Sequence, residues 1–220
     1  MGIADMLLRG LDTMIDAILP RRARNVRLHN YTTEDIPVNP RAREVGGRHI
    51  TTLLDYRELV VEDLIRSLKY DGSMRAAGLC ASVLAEYLRE EIAAARPFLA
   101  REIILVPIPL HPSRARERGF NQIELILKRL PQEFHDGTLS EICFDLLVRT
   151  RATPQQTRLP RIERLKNVAD AFRVRDAERA RGAHLFVIDD VTTTGATLVN
   201  AAEPLEALGA AVTLLALARA

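Results

Sequence analysis

Short apolar runs alternate with amphipathic helical patterns along most of this chain. Residues 103–106 and 185–188 are rich in branched side chains and are bounded by turn-forming residues, so each run predicts a buried strand. A further buried strand is predicted over 210–218. Helical spacing is found over 59–69, 74–92, 123–130 and 195–208. Strands that alternate with helices predict an α/β fold, with a parallel sheet and helices on both faces.

The N-terminal part has a different pattern. Residues 3–19 form one apolar helical face that ends at Pro20, and we interpret it as a helix packed on the main domain. A homodimer contact or a membrane-surface helix are the alternatives, although an acidic polar face argues against an anionic membrane. Residues 20–47 are predicted to be loop or short hairpin, followed by a strand over 49–56. Their arginines are interpreted as solvated surface, with nucleic-acid contact as the alternative: Arg21, Arg22, Arg24, Arg27, Arg41 and Arg43.

The stretch before the strongest strand is harder to assign. Residues 140–142 are predicted to begin a short helix, and strands are predicted over 144–148 and near Phe172. Residues 149–165 are polar and have no clear period until Arg161. Two interpretations remain open for this segment, a mobile lid over a cleft or a surface loop.

Composition narrows the class of protein. The chain has 220 residues, 47% of them hydrophobic, and a net charge of +2, which fits a globular protein and does not by itself indicate nucleic acid. Cys80 and Cys143 are too few and too far apart for a disulfide framework or a four-cysteine zinc site, so buried thiols are expected. No apolar run is long enough to span a bilayer and no secretory signal is recognisable, so we expect a cytoplasmic protein.

The strongest chemical signal follows the strand at 185–188. Asp189 and Asp190 come directly after it, and the segment Thr192, Thr193, Thr194, Gly195, Ala196 and Thr197 leads into a helix. A threonine- and glycine-rich loop at a helix start suits a phosphate, and two carboxylates suit sugar hydroxyls or a divalent metal. Ordinary helix capping is the alternative interpretation, but three successive hydroxyls exceed what one cap needs.

A second anion-binding candidate follows the strand at 103–106. Three prolines stiffen its first half, and Arg114, Arg116 and Arg118 stand at alternate positions in the second. An exposed basic loop is the alternative. Because both loops follow strands of a parallel sheet, we expect them to face one crevice.

These motifs resemble a known family. VIDDVTTTGAT (187–197) looks like the phosphoribosyl pyrophosphate (PRPP) motif of type I phosphoribosyltransferases, and the chain resembles the ComF/GntX family of phosphoribosyltransferase-like proteins. The supporting segments are LIRSLKYDG (64–72), VPIPLHPSRARERGFNQ (106–122) and R-x-R-x-T-x-x-Q (149–156). The resemblance implies a type I phosphoribosyltransferase-like domain over 53–220 and an N-terminal extension over 1–52. Many members carry a four-cysteine zinc module in that extension, and this chain has no such cysteines.

The resemblance also implies a role for each motif. Asp189 and Asp190 would accept hydrogen bonds from ribose hydroxyls and contact Mg²⁺, residues 192–197 would hold the 5′-phosphate, and Arg118 would act on the pyrophosphate. The implied pyrophosphate loop is Ile108, Pro109, Leu110, Arg114 and Arg118, and the implied lid residues are Arg149, Arg151, Thr153, Gln156 and Arg158. Successive strand side chains point to opposite faces, so we expect the strand to unwind near Asp189.

Two functions are compatible with this resemblance. The first is an Mg²⁺-dependent enzyme that transfers ribose 5-phosphate from PRPP to a nitrogenous base and releases pyrophosphate. The second is a non-catalytic PRPP-sensing or single-stranded-DNA-handling factor of the DNA-uptake type, with the N-terminal arginines as its contact surface. Fold alone does not choose between them.

Overall fold

The computed structural model describes residues 21–95, 102–110, 112–150 and 171–220. The helix predicted over 3–19 and residues 151–165 of the predicted lid lie outside this part of the chain. The helices are α1 Arg21–Asn30, α2 Leu59–Asp71, α3 Met74–Ala95, α4 Pro112–Arg118, α5 Gln122–Leu127, α6 Ala177–Ala180 and α7 Ala196–Glu206. The strands are β1 Arg41–Val45, β2 Arg48–Asp55, β3 Ile103–Pro107, β4 Glu141–Ile142, β5 Leu147–Arg149, β6 Phe172–Val174, β7 His184–Thr192 and β8 Ala211–Arg219.

Six of these strands form one sheet, in the order β1-β2-β8-β7-β3-β4. In this order, the pairs β2–β8, β8–β7, β7–β3 and β3–β4 are all parallel. The edge strand β1 pairs antiparallel with β2. The predicted α/β class and its mostly parallel sheet are therefore confirmed. The two remaining strands, β5 and β6, form a small antiparallel pair.

Helices cover both faces of the sheet. Successive side chains of its central strands point to opposite faces, and both sets are apolar. Phe186 and Ile188 of β7 belong to the core beneath α2, α3 and α5. Leu185 and Val187 belong to the opposite core, together with Leu198 of α7. A strand that is buried on both faces reads as a continuous apolar run, which is why the sequence predicted it correctly.

The junction between α2 and α3 forms as predicted. Gly72 ends α2 in the left-handed conformation, with φ of 57°. Ser73 caps α3, because its hydroxyl oxygen accepts a hydrogen bond from the Ala76 backbone N–H at 3.3 Å.

The prediction of loop or hairpin over 20–47 is partly wrong. Residues 41–55 do form a β-hairpin, which turns at Gly46 and Gly47, both with positive φ. Residues 21–30, however, form α1, and two of its arginines form ion pairs with carboxylates of α2. Arg24 is 3% exposed and donates a hydrogen bond to Asp71 at 2.8 Å. Arg27 forms two hydrogen bonds of 2.7 Å with the buried Asp63.

Three further differences concern short segments. Residues 141–142 form strand β4 beside β3, where a short helix was predicted. Residues 112–118, predicted as loop, form the short exposed helix α4. The strand predicted over 144–148 begins only at Leu147. Each of these elements is seven residues long or shorter, so its sequence shows too few periods to distinguish helix from strand.

Both cysteines are buried, as predicted. Burial raises the pKa of Cys80 to about 12 and also raises that of Cys143. Along the described stretches of chain, the search for a helix with the length and apolarity needed to cross a membrane finds none. The division of the chain at residue 52 stays a prediction, and that boundary falls inside β2.

Candidate active site at the carboxyl end of the parallel sheet

The acidic pair lies near the carboxyl end of β7. Contrary to the prediction, the strand does not unwind near Asp189. Its register with β8 is constant from Asp189, opposite Ala216, to Thr192, opposite Arg219. Pairing with β3, in contrast, stops at Ile188, so β7 extends beyond its neighbour on that side.

The two carboxyl groups nevertheless converge. The Asp190 backbone N–H donates to Asp189 Oδ1 at 2.9 Å, and the Val191 N–H donates to Asp190 Oδ1 at 2.8 Å. Each side chain therefore folds toward the next backbone N–H, and the two carboxyl groups interact directly. Burial raises the pKa of Asp189 well above its usual value, and the negative charge of Asp190 and a hydrogen bond between the two carboxyls raise it further.

Two arginines from other segments interact electrostatically with this pair, and a third lies near both of those arginines. Burial lowers the pKa of Arg118, at the end of α4, while the charge of Asp190 raises it. Burial likewise lowers the pKa of Arg149, at the end of β5, while the charge of Asp189 raises it. The charge of Arg114 lowers the pKa of both arginines. The fold therefore brings together three arginines and two carboxylates that are up to 76 positions apart in sequence (114 to 190).

The loop after β3 is fixed against β7 by hydrogen bonds. The Ile108 backbone N–H donates to the Ile188 carbonyl at 2.8 Å. The Asn121 side-chain amide donates to the Ile108 carbonyl at 3.0 Å, and its oxygen accepts from the Ile123 N–H. The predicted pyrophosphate loop, including the half-buried Pro109 and Leu110, is thus held beside the acidic pair.

The threonine loop between β7 and α7 has a shape that ordinary capping does not explain. The N-cap is Gly195, with φ of 83°, and not a threonine. Thr192 is buried, whereas Thr193 and Thr194 are exposed beside the exposed Ala196 and the half-buried Thr197. Among the described contacts of these threonines, only the Thr194 hydroxyl oxygen accepts a hydrogen bond from a backbone N–H, that of Ala196 at 3.3 Å.

The β1–β2 hairpin packs directly on this loop. A Cβ at Gly195 would overlap the Ile50 side chain and lie tightly against Val45. Arg43 donates a hydrogen bond to the Thr193 carbonyl at 3.2 Å. Glycine is therefore required here both by the backbone conformation and by the hairpin above it.

The predicted lid is described only at its beginning. Arg149 belongs to β5, and its guanidinium lies 5.4 Å from the centroid of the Phe172 ring on β6. Arg151, Thr153, Gln156 and Arg158 lie outside the described residues. A closing lid therefore stays a prediction.

Comparison with known proteins identifies the relatives of this chain. It is 34% identical over 166 residues to the "DNA utilization protein YhgH" of Escherichia coli strain K12, a match that covers 74% of this chain and 68% of the relative. The chain belongs to the ComF family. It is also 33% identical over 114 residues to the "Competence protein ComFC" of Bacillus subtilis strain 168, covering 52% of this chain and 42% of that protein. The corresponding protein of Streptococcus pneumoniae is 29% identical over 166 residues, covering 76% and 65%. No protein-family model matches the chain.

Sequence reasoning missed one residue of this ComF-family site. Tyr70 is 37% exposed at the end of α2, and it contributes to the pKa of Arg118, so it lies near that guanidinium. Lys69 Nζ lies 4.9 Å and the Arg66 guanidinium 5.8 Å from the centroid of the Tyr70 ring. The segment LIRSLKYDG was noticed only as part of the family resemblance, and nothing in its helical spacing pointed to the site.

The acidic pair of this ComF-family chain offers part of what the predicted magnesium ion needs. Asp189 and Asp190 offer hard carboxylate oxygens, which Mg²⁺ prefers. Within the described residues, no group of three or more His, Cys, Asp or Glu side chains could hold a metal ion. The pair therefore fits Mg²⁺ only if a bound ligand and water complete the coordination, as is usual for this ion on phosphate substrates.

Proposed function

We propose that this protein binds PRPP with Mg²⁺ at the carboxyl end of its parallel sheet. The observation that carries the proposal is the convergence of Asp189 and Asp190 with Arg114, Arg118 and Arg149 beside the threonine loop. PRPP combines vicinal hydroxyls, a phosphate and a pyrophosphate. Carboxylates accept hydrogen bonds from hydroxyls, and arginines donate paired hydrogen bonds to phosphate oxygens, so both halves of the ligand find partners.

Each group has a place in this proposal. The two aspartates hold the ribose hydroxyls, and residues 193–197 hold the 5′-phosphate with backbone N–H groups and exposed hydroxyls. Arg114 and Arg118 bind the pyrophosphate, and Arg149 lies on the side of Asp189. Asp189 or Asp190 would hold Mg²⁺, which would supply positive charge to offset the charge of the pyrophosphate.

Transfer of ribose 5-phosphate to a nitrogenous base is the first candidate function of such a site. The bond between ribose C1 and the pyrophosphate oxygen breaks, the electron pair leaves with pyrophosphate, and a base nitrogen bonds to C1. Negative charge develops on the leaving group, where Arg114 and Arg118 stabilise it. Arg118 is partly buried, which strengthens its share of this stabilisation because the surrounding dielectric is low.

A DNA-handling factor that binds PRPP without turning it over is the second candidate. The names of the relatives, DNA utilization protein and competence protein, favour this function over base transfer. The structure reduces the surface available for DNA, because Arg24 and Arg27 are paired with carboxylates. Arg41 and Arg43, on the hairpin, remain as candidates for DNA contact.

PRPP binding is tested by titration calorimetry of PRPP in Mg²⁺ with the wild type and Asp190→Asn. We expect the variant to bind at least about tenfold more weakly, because a hydrogen bond to a charged group contributes about 1.5–3 kcal/mol. Asp136→Asn, on an exposed turn, is the matched control and should bind as the wild type does. Equal affinities of Asp190→Asn and wild type would contradict the proposed site.

Two assays separate the candidate functions. Release of pyrophosphate from PRPP in the presence of one of a panel of bases would support the transferase. Absence of turnover with every base, together with salt-sensitive binding to single-stranded DNA, would support the DNA-handling factor.

A further inference from the structure

A second cationic pocket lies between the β1–β2 hairpin and the carboxyl end of β8. It has a volume of about 140 Å³. Its lining contains three arginines and two threonines but no acidic residue: Arg41, Ala42, Arg43, Ile50, Thr52, Thr192 and Arg219. Thr192 belongs to the threonine loop, and Arg43 and Ile50 contact it. Arg219 adjoins Thr192 through strand pairing, whereas the other three lining residues have no described contact with that loop.

The positive charges in this pocket are only partly compensated by nearby acidic groups. Within the described part of the chain, neither Arg41 nor Arg219 forms an ion pair, and the hydrogen bond of Arg43 goes to a neutral carbonyl. Asp55 interacts electrostatically with Arg41, but its carboxylate already accepts four hydrogen bonds from Arg57, three from the guanidinium and one from the backbone N–H. Three guanidinium groups around one small space repel one another, and an anion among them would relieve that repulsion.

Strand pairing fixes the geometry of the pocket. Arg41 and Arg43 are two residues apart on β1 and share one face of it. The register places Arg41 opposite Thr52, whose hydroxyl donates to the Arg41 carbonyl at 3.3 Å, and places Arg219 beside Thr192. Thr52 and Thr192 are each 7% exposed, so their hydroxyls lie deep in the pocket while Arg41 and Arg219 form its exposed edge.

We propose that this pocket binds a phosphate group of a larger ligand. Arginine forks and the Thr192 hydroxyl match phosphate oxygens, and no aromatic side chain lines the pocket to stack a base. The group comes either from the backbone of single-stranded DNA or from a small phosphorylated molecule. The exposed edge formed by Arg41 and Arg219 favours a strand that passes across the hairpin, and this choice rests on the DNA-handling candidate.

Arg41→Gln and Arg219→Gln test the pocket, while Arg43 is left unchanged because it holds the threonine loop. Binding of a fluorescent oligo-dT of about 20 nucleotides is followed by anisotropy over a series of salt concentrations. Each variant should bind at least about threefold more weakly and flatten the plot of log K against log salt by about 0.7, the loss of one phosphate contact. Arg129→Gln, an exposed arginine after α5 that does not line the pocket, is the matched control.

A second measurement follows binding of inorganic phosphate and of PRPP to the same variants by calorimetry. If the variants bind DNA normally but bind inorganic phosphate more weakly, the ligand is a small phosphorylated molecule and the DNA source is wrong. If both variants keep the wild-type melting temperature and the wild-type affinity for both ligands, the pocket proposal is overturned. The affinity for PRPP should not change in either variant. A failure of the pocket proposal can therefore be distinguished from a failure of the proposed PRPP site.

Discussion

At the scale of single residues, the candidate site depends on two neighbouring aspartates whose surroundings differ. The sequence identified both by their position after a buried strand. It also predicted that the strand would unwind near Asp189, and this was wrong: the strand stays paired with β8, and each side chain accepts a hydrogen bond from the following backbone N–H. Burial and the charge of Asp190 raise the pKa of Asp189, and the surrounding arginines lower it only in part. This rise in the pKa of Asp189 depends on the three-dimensional arrangement of the charges, and no pattern in the sequence predicts it.

Asp189→Asn should make the protein more stable at neutral pH. The pKa of Asp189 in the folded state lies above its usual value of 3.8, so its favourable contribution is complete below that value and is lost as pH rises through the folded-state pKa. An uncharged asparagine removes this loss. We expect a melting temperature roughly 2–4 °C higher near neutrality, with the difference shrinking toward about pH 4.

Thermal unfolding monitored by circular dichroism across this pH range is the measurement. Asp136→Asn is the opposite control, because a hydrogen bond with Thr138 holds the pKa of Asp136 below its usual value, so this substitution should destabilise at neutral pH. A lower melting temperature of Asp189→Asn near neutrality would show that the carboxylate stabilises the fold.

At the scale of elements, the long periodic segments were predicted well and the short ones poorly. α2 and α3 have several turns of apolar spacing, and Gly72 and Ser73 mark their junction. α1 has no comparable signal, since its arginine-rich sequence suits a solvated loop. It is held by contacts with other elements, including the two hydrogen bonds from Arg27 to Asp63 and those from Arg75 to the carbonyls of Leu28, His29 and Tyr31.

Asp63→Asn should therefore loosen α1. Asp63 is 3% exposed and accepts hydrogen bonds from Arg27 and from the Tyr31 hydroxyl. Removing its charge leaves Arg27 without its counter-ion, and we expect a loss of about 2 kcal/mol in the free energy of unfolding. Urea denaturation measures this loss, and hydrogen exchange should quicken across residues 21–30.

Asp55→Asn provides the comparison, because its ion pair with Arg57 lies at the surface. Such a pair contributes little in solvent, so the stability of this variant should stay close to that of the wild type. A variant Asp63→Asn that is as stable as the wild type would mean that α1 is held by its apolar contacts alone.

At the scale of the whole molecule, the parallel sheet places the candidate ligand groups. β7 lies between β3 and β8, so the loops after β3 and β7 open at the same edge. This relation was predicted from the sequence. A short hairpin was also predicted, but its position above the threonine loop was not, because the pairing of β2 with β8 joins segments more than 160 positions apart (50 to 214).

Ligand binding at this edge should stabilise the whole fold. PRPP with Mg²⁺ at about 100 times its dissociation constant would contribute about 2.7 kcal/mol, which corresponds to a rise of roughly 5–11 °C in melting temperature for a chain of this size. Differential scanning calorimetry of the wild type and Asp190→Asn measures the effect. An equal rise in both proteins would place the bound PRPP away from the acidic pair.

The sequence by itself determined the α/β class, the buried central strands, the position of the acidic pair and threonine loop, and the family resemblance. These features are local, since a few neighbouring residues carry the apolar period or the motif. Only the tertiary structure decided that α1 is a helix, that Arg114, Arg118 and Arg149 share one site with the aspartates, and that Arg219 joins the hairpin arginines in a pocket. Those arrangements depend on contacts between distant segments, and such contacts form only when the sheet brings the strand ends together.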